Sequence, residues 1–155
     1  MKKHKKHRKK KMGLKRQQSE EIRRTKEKGT MEMEQQQKND NADKIRELME
    51  KEAYAEAINT FADILAEGKE PPESTFGEIA RAYFELGDYA RAADWVTMTL
   101  TSTPDDIDVR ILLARICQRE KRIEDALKIY DYLIAVQNAH LTDAQRREID
   151  RRAGL

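Results

Sequence analysis

Cysteine, aromatic residues and long apolar runs are all scarce in this sequence of 155 residues. Cys117 is the only cysteine, so the chain cannot form an internal disulfide, and a reducing compartment is the simplest setting for it. No run approaches the roughly 18 apolar residues that a membrane-spanning helix needs. The stretch after the basic N-terminus is polar and lacks the apolar segment of a secretory signal. These absences favour a soluble protein of the cytoplasm, or of the nucleus if the host is eukaryotic.

Charge is distributed unevenly along the chain. The net charge is only +2, but residues 1–30 hold fourteen Lys and Arg against three acids, while residues 31–155 hold seventeen against twenty-six. Residues 1–40 also contain no aromatic residue, because the first in the chain is Tyr54. Such a segment cannot offset an ordering entropy of about 1–2 kcal/mol per residue. We therefore expect residues 1–40 to form a basic, mostly disordered N-terminal arm with transient helix.

Helical periodicity begins at residue 41, where apolar residues recur at spacings of three and four. Gly and Pro interrupt the pattern at intervals and predict three helix pairs, over about 41–70, 73–104 and 107–136. A short helix follows over about 142–152, with Thr142 as its N-cap and Gln145 as the capping-box partner. No segment alternates as a β-strand would. The sequence therefore predicts an all-α domain over residues 41–155.

The three pairs repeat one another. AYAEAINTFADIL, DYARAADWVTMTL and RIEDALKIYDYLI align with periods of 35 and 34 residues, and one column holds Ala57, Ala92 and Ala126. Alanine at this place lets the two helices of a pair approach closely, while larger residues from neighbouring pairs fill the space around it. The turn ELGDYARA (85–92) carries the pattern G-D-Y-x-x-A, and Pro104 closes the middle pair.

On these residues the chain resembles the tetratricopeptide repeat family over about residues 41–136. The resemblance implies a short α-solenoid of about three helix-turn-helix units with a C-terminal capping helix. In the third unit Lys121 stands where the family favours Gly, and the first helix of the first unit, around 42–50, is short and polar. We expect the EIDRR segment of the capping helix to be exposed and to provide a polar end to the stack.

The resemblance also implies a concave groove that binds a peptide or a partner helix, lined by the first helix of each unit. One column of that frame holds three arginines 35 and 34 residues apart, Arg46, Arg81 and Arg115. Guanidinium groups stacked along a groove would suit carboxylates or phosphates. Apolar contact is expected from three further residues, Phe84, Ile111 and Leu112. In the alternative interpretation, Arg46 and Arg81 only form i,i+4 pairs with Glu50 and Glu85, worth a few tenths of a kcal/mol.

Residues that could carry catalysis or hold a metal are missing from the pattern. His4 and His7 lie among lysines, His140 is the only other histidine, and no second cluster completes a zinc site. Cys117 falls on the core side of its helix with no base placed beside it. We expect the protein to have no catalytic activity and to bind no metal ion and no cofactor. Glu78, Asp108 and Leu112 occupy places where some family members hold Lys, Asn and Arg to clamp a chaperone C-terminus, which argues against a chaperone adaptor.

The start of the arm is the other candidate binding segment. Its cations are Lys2, Lys3, Lys5, Lys6, Arg8, Lys9, Lys10 and Lys11. A run of this density binds polyanions by counterion release, but without aromatic residues it has no stacking platform for bases. Adhesion to an anionic membrane surface, a nuclear-localisation signal and plain solubility remain open alternatives.

The leading hypothesis is a non-enzymatic module that binds a protein or peptide partner, acidic in character, in the groove of the repeat. The alternative is a nucleic-acid- or ribosome-associated protein whose arm binds polyanions without sequence choice. Self-association into an oligomeric scaffold is a third alternative.

Overall fold

Seven α-helices build the computed structural model, which describes the backbone of residues 2–154 and the side chains of residues 13–154. They are α1 (Lys2–Glu50), α2 (Tyr54–Ala66), α3 (Phe76–Glu85), α4 (Tyr89–Ser102), α5 (Ile107–Arg119), α6 (Ile123–Val136) and α7 (Asp143–Ala153). Short 3-10 helices at Glu73–Thr75 and Asn138–His140 precede α3 and α7. No strand occurs among these residues, and the expected all-α solenoid is confirmed. None of the described helices is long and apolar enough to cross a membrane.

The chain divides into two compact units, residues 1–40 and residues 41–155. In the first unit, residues 2–40 lie within α1, and the disorder that we expect for this arm stays a prediction. Strong helix formers fill this stretch, and i,i+4 pairs such as Gln36–Asp40 (3.0 Å) and Arg23–Glu27 (3.7 Å) add a few tenths of a kcal/mol each. The reason for that expectation still holds, because none of residues 13–40 is buried and Met33 is 75% exposed.

The second unit, which we call the repeat domain, contains the helix pairs. Its first helix is residues 41–50 of α1, where Ala42, Ile45 and Met49 are buried although the segment looks polar in sequence. Consecutive pairs share three clusters of apolar side chains, one between each pair and the next element. The aligned alanines Ala57, Ala92 and Ala126 are fully buried, as their role in close helix approach predicts.

The turn inside each pair repeats the same backbone conformation. Glu52, Gly87 and Lys121, 35 and 34 residues apart, all have positive φ, at 58°, 82° and 65°. In each turn the next residue donates its N–H to a carbonyl five residues back, as Asp88 does to Tyr83 (2.9 Å) and Arg122 to Cys117 (2.8 Å). Lys121 therefore adopts the left-handed conformation that glycine adopts at position 87, at a cost of about 1–2 kcal/mol for a residue with a Cβ.

The last helix, α7, begins with the expected capping box. Thr142 accepts a hydrogen bond from the backbone of Gln145 (3.1 Å), and the Gln145 side chain accepts one from the backbone of Thr142 (2.9 Å). The EIDRR segment is not wholly exposed, however. Ile149 is fully buried in the third apolar cluster, because α7 packs against both α5 and α6.

Candidate functional site

A groove of about 720 Å³ runs along the first helices of the second and third pairs. Its walls come from α3 and α5, with contributions from the 3-10 helix at Glu73–Thr75, the end of α4 and one face of α7. Helix α3 lies close to α5 because it carries Gly77 there. A Cβ added to Gly77 would lie 2.9 Å from Val109 Cγ2, inside ordinary van der Waals contact. This volume is within the range of ligand-binding clefts in proteins.

Two arginines of the predicted column line this groove, Arg81 and Arg115. The third, Arg46, is not among the lining residues, and its guanidinium lies 3.2 Å from Asp43 and 3.8 Å from Glu78. Neither of the expected i,i+4 pairs with Glu50 and Glu85 forms among the described residues. The arginine column is therefore divided between an ion-paired member and two members that face the groove.

Arg115 lies over the aromatic face of Phe84, with its guanidinium carbon 4.5 Å from the ring centroid. This contact is a cation–π interaction, which holds the long side chain in one place at the groove wall. Burial lowers the pKa of the Arg115 guanidinium, and the nearby charge of Arg152 lowers it further. The side chain nevertheless stays charged, so it remains a hydrogen-bond donor with no side-chain partner among the described residues.

The apolar residues expected in the groove lie deeper than the sequence suggested. Phe84 belongs to the core and is covered by Arg115, so it is not itself a lining residue. Ile111 and Leu112 do line the groove, but both are buried and offer only a small apolar floor. The sequence did not indicate this depth, because it depends on which neighbour covers each side chain.

Helix α7 supplies a wall that the sequence did not identify as part of the site. Glu148 and Arg152 line the groove and form an ion pair at 2.9 Å. Two side-chain contacts fasten α7 to α5. Gln118 donates to the Arg152 carbonyl (2.8 Å) while accepting from the Tyr130 hydroxyl (2.9 Å), and Gln145 donates to Asp108 (2.9 Å).

The carboxylates of the lining were also missed as a group. They are Glu73, Glu78, Glu85, Asp106, Asp108 and Glu148. Glu78 is half-buried, and burial raises the pKa of its carboxyl against the opposing charges of Arg46 and Arg81. Asp106 caps α5 by accepting from the backbone N–H of Val109 (3.0 Å).

Cys117 is buried, as expected for a core residue, and burial raises the pKa of its thiol. Among residues 13–154, no group of three His, Cys, Asp and Glu side chains is arranged to hold a metal ion. The eight cations proposed for polyanion binding, at positions 2–11, lie outside the residues whose side chains the structure describes.

Comparison with known proteins supports the repeat. The tetratricopeptide repeat family model matches residues 48–116. The 131 kDa subunit of transcription factor tau from Saccharomyces cerevisiae is 33% identical over 72 residues, which are 46% of this chain and 7% of that protein. A TPR repeat-containing protein of Methanocaldococcus jannaschii is 37% identical over 59 residues, which are 37% of this chain and 18% of that protein. The chain thus spans less than a fifth of either relative.

Proposed function

Because the repeat domain belongs to the tetratricopeptide repeat family, we propose that it is a non-enzymatic interaction module that binds a segment of a protein partner in its groove. Repeats of this family generally mediate protein–protein interaction, and its members are generally scaffolds without catalytic activity. The two relatives are named as a transcription-factor subunit and a repeat-containing protein.

The observation that carries this proposal is the presence at the groove of two arginines that make no hydrogen bond or ion pair with a side chain of residues 13–154. Arg81 and Arg115 project from successive first helices, and neither forms a side-chain ion pair among the described residues. Arginine side chains ordered by packing lose less entropy on binding, and arginine is enriched at protein interfaces. A segment lying along α3 and α5 would meet both guanidinium groups.

Removal of both guanidinium groups tests the proposal. We expect the full-length Arg81→Ala/Arg115→Ala variant to lose the partners that wild type captures from extract of its own cells. The matched control is Arg119→Ala/Arg147→Ala, at two exposed arginines that lie outside the groove and form no ion pair among the described residues. If the groove variant retains every partner, or if the control loses the same ones, the groove is not the binding surface.

We propose a second binding activity for the arm, since fourteen of its first thirty residues are Lys or Arg. A polyanion would bind it by charge, with affinity falling steeply as salt rises. The test titrates full-length chain with a DNA or RNA homopolymer at two salt concentrations, beside a variant with Lys5, Lys6, Lys9 and Lys10 replaced by Gln. Equal binding by both proteins, or binding insensitive to salt, would contradict the proposal that the arm binds polyanions.

A further inference from the structure

The lining of the groove is acidic overall, although an arginine column marked it in the sequence. Six carboxylates and three guanidinium groups line it, the latter being Arg81, Arg115 and Arg152, which gives a formal charge of −3. The repeat domain as a whole has the same sign, because residues 41–155 contain 23 acids and 16 Lys and Arg, a formal charge of −7. The column of arginines alone favoured an acidic partner. The complete lining, however, has twice as many carboxylates as guanidinium groups.

Some of these charges already have partners within the domain. Arg152 pairs with Glu148, Asp106 caps α5, and Asp108 accepts from Gln145. Two other carboxylates, Glu73 and Glu85, form no side-chain hydrogen bond or ion pair among the described residues.

Glu78 is the third carboxylate on this wall, and its compensation is incomplete. The nearest guanidinium is that of Arg46, at 3.8 Å, with no hydrogen bond between them. A half-buried carboxylate in this position gains more from an incoming cation than a fully solvated one does. Glu73, Glu78 and Glu85 therefore form an acidic wall along the 3-10 helix and α3, and their charges are not fully compensated by side chains of the described residues.

An apolar floor lies beside that wall. Val109, Ile111 and Leu112 line the groove from α5, and Gly77 exposes backbone from α3. Lysine and arginine side chains combine an aliphatic stem with a charged end, and they pack the stem on apolar surface while the end reaches a polar partner. A floor of this kind beside carboxylates matches both parts of such a side chain.

We propose that the groove binds an extended peptide segment rich in lysine and arginine. Glu73, Glu78 and Glu85 bind its cationic ends, the α5 floor holds the aliphatic stems, and Arg81 and Arg115 donate hydrogen bonds to its backbone carbonyls. The assignment of both arginines to carbonyl groups explains how they share a groove with six carboxylates. This inference rests on the proposed function of the groove and specifies the chemistry of its occupant.

The test uses full-length protein and three labelled ten-residue peptides in which alanine alternates with lysine, glutamine or glutamate. Fluorescence anisotropy at about 0.1 M salt, where charges act over about 10 Å, measures binding. We expect the lysine peptide to bind and the glutamine and glutamate peptides to show no saturable binding. The variant Glu73→Gln/Glu78→Gln/Glu85→Gln should weaken lysine-peptide binding by about tenfold or more, since it removes three ion pairs.

The matched control changes the net charge equally but leaves the groove intact. It is Asp63→Asn/Asp94→Asn/Asp131→Asn, at three exposed positions on second helices that do not line the groove. The control should bind the lysine peptide as wild type does, and circular dichroism should show the same helix content in all three proteins. An equal loss in both triple variants would mean non-specific attraction and would overturn the inference.

Two other outcomes also overturn the inference. In one, the lysine peptide does not bind at all. In the other, the glutamate peptide binds more tightly than the lysine peptide. If the binding of the glutamate peptide is then lost in Arg81→Glu/Arg115→Glu, the groove still binds a segment, so the proposed function survives with an acidic occupant.

Discussion

The close approach of α3 and α5 at Gly77 gives a prediction whose sign can be worked out from the structure. In Gly77→Ala the new Cβ would lie 2.9 Å from Val109 Cγ2 and 3.8 Å from Thr99 Cγ2. Carbon atoms pack best at about 3.5–4.0 Å, so the first contact is too short by about 0.6–1.1 Å. Val109 is buried and, being β-branched in a helix, has one strongly preferred rotamer.

Two effects therefore compete in this variant. Overpacking costs about 1–3 kcal/mol, and alanine in place of glycine in a helix gains about 1 kcal/mol. We expect Gly77→Ala to lower the free energy of unfolding by up to about 2 kcal/mol. In a Val109→Ala background the obstructing methyl is gone, so the same change should raise the free energy of unfolding by about 1 kcal/mol.

Urea unfolding of wild type, both single variants and the double variant measures this coupling. The fluorescence of Trp95, the only tryptophan, reports the transition, since its ring lies 4.9 Å from that of Phe61 and 5.4 Å from that of Phe76. The expected coupling is about 1–3 kcal/mol, and it favours the double variant. If Gly77→Ala has the same effect in both backgrounds, within about 0.5 kcal/mol, helix packing at this point is not the constraint that we describe.

Three further predictions concern single positions. Tyr130→Phe should lower the free energy of unfolding by about 1 kcal/mol, because the hydroxyl donates to Gln118, and should speed amide hydrogen exchange in α7; unchanged exchange there would separate Tyr130 from the docking of α7. Lys121→Gly should raise the free energy of unfolding by about 0.5–1 kcal/mol, and with it the urea midpoint, since glycine tolerates the positive φ of 65°; a lower midpoint would contradict this. Folding raises the pKa of the Glu78 carboxyl above its ordinary 4.5, so its contribution to stability is present below that value and is lost as pH rises through the folded pKa. Glu78→Gln should thus raise the urea midpoint at about pH 7 and leave it unchanged below about pH 4, and a lower midpoint at neutral pH would refute the sign.

The helix pairs could be predicted because each boundary has a local chemical cause. Gly87 and the segment around Pro104 end helices through backbone conformation alone, and Thr142 begins one with its own side chain. The continuous helix of the N-terminal arm could not be predicted from its composition. Its composition shows that it has no core to bury, but composition does not exclude a helix whose backbone hydrogen bonds are satisfied within the helix itself.

The groove could be predicted only in part, because its walls depend on contacts between distant segments. The repeat aligns Arg46, Arg81 and Arg115 in one column, but it does not show that only the last two line the groove while Arg46 pairs with Glu78. One feature of the sequence could have indicated that α7 contributes a wall of the groove. The 34-residue period extends from Gln118 to Arg152, which places α7 where the first helix of a fourth unit would lie.

The measurement that tests the account most directly is site-specific cross-linking from the groove. A photo-reactive residue replaces Ser74, which is exposed and lines the groove, or Asp94, which is exposed on α4 outside it. The account predicts that captured partners cross-link from position 74, that position 94 yields little product, and that Arg81→Ala/Arg115→Ala abolishes the product at 74. Equal cross-linking from both positions, or product at 74 that survives the loss of both arginines, would contradict the claim that the groove binds the partner.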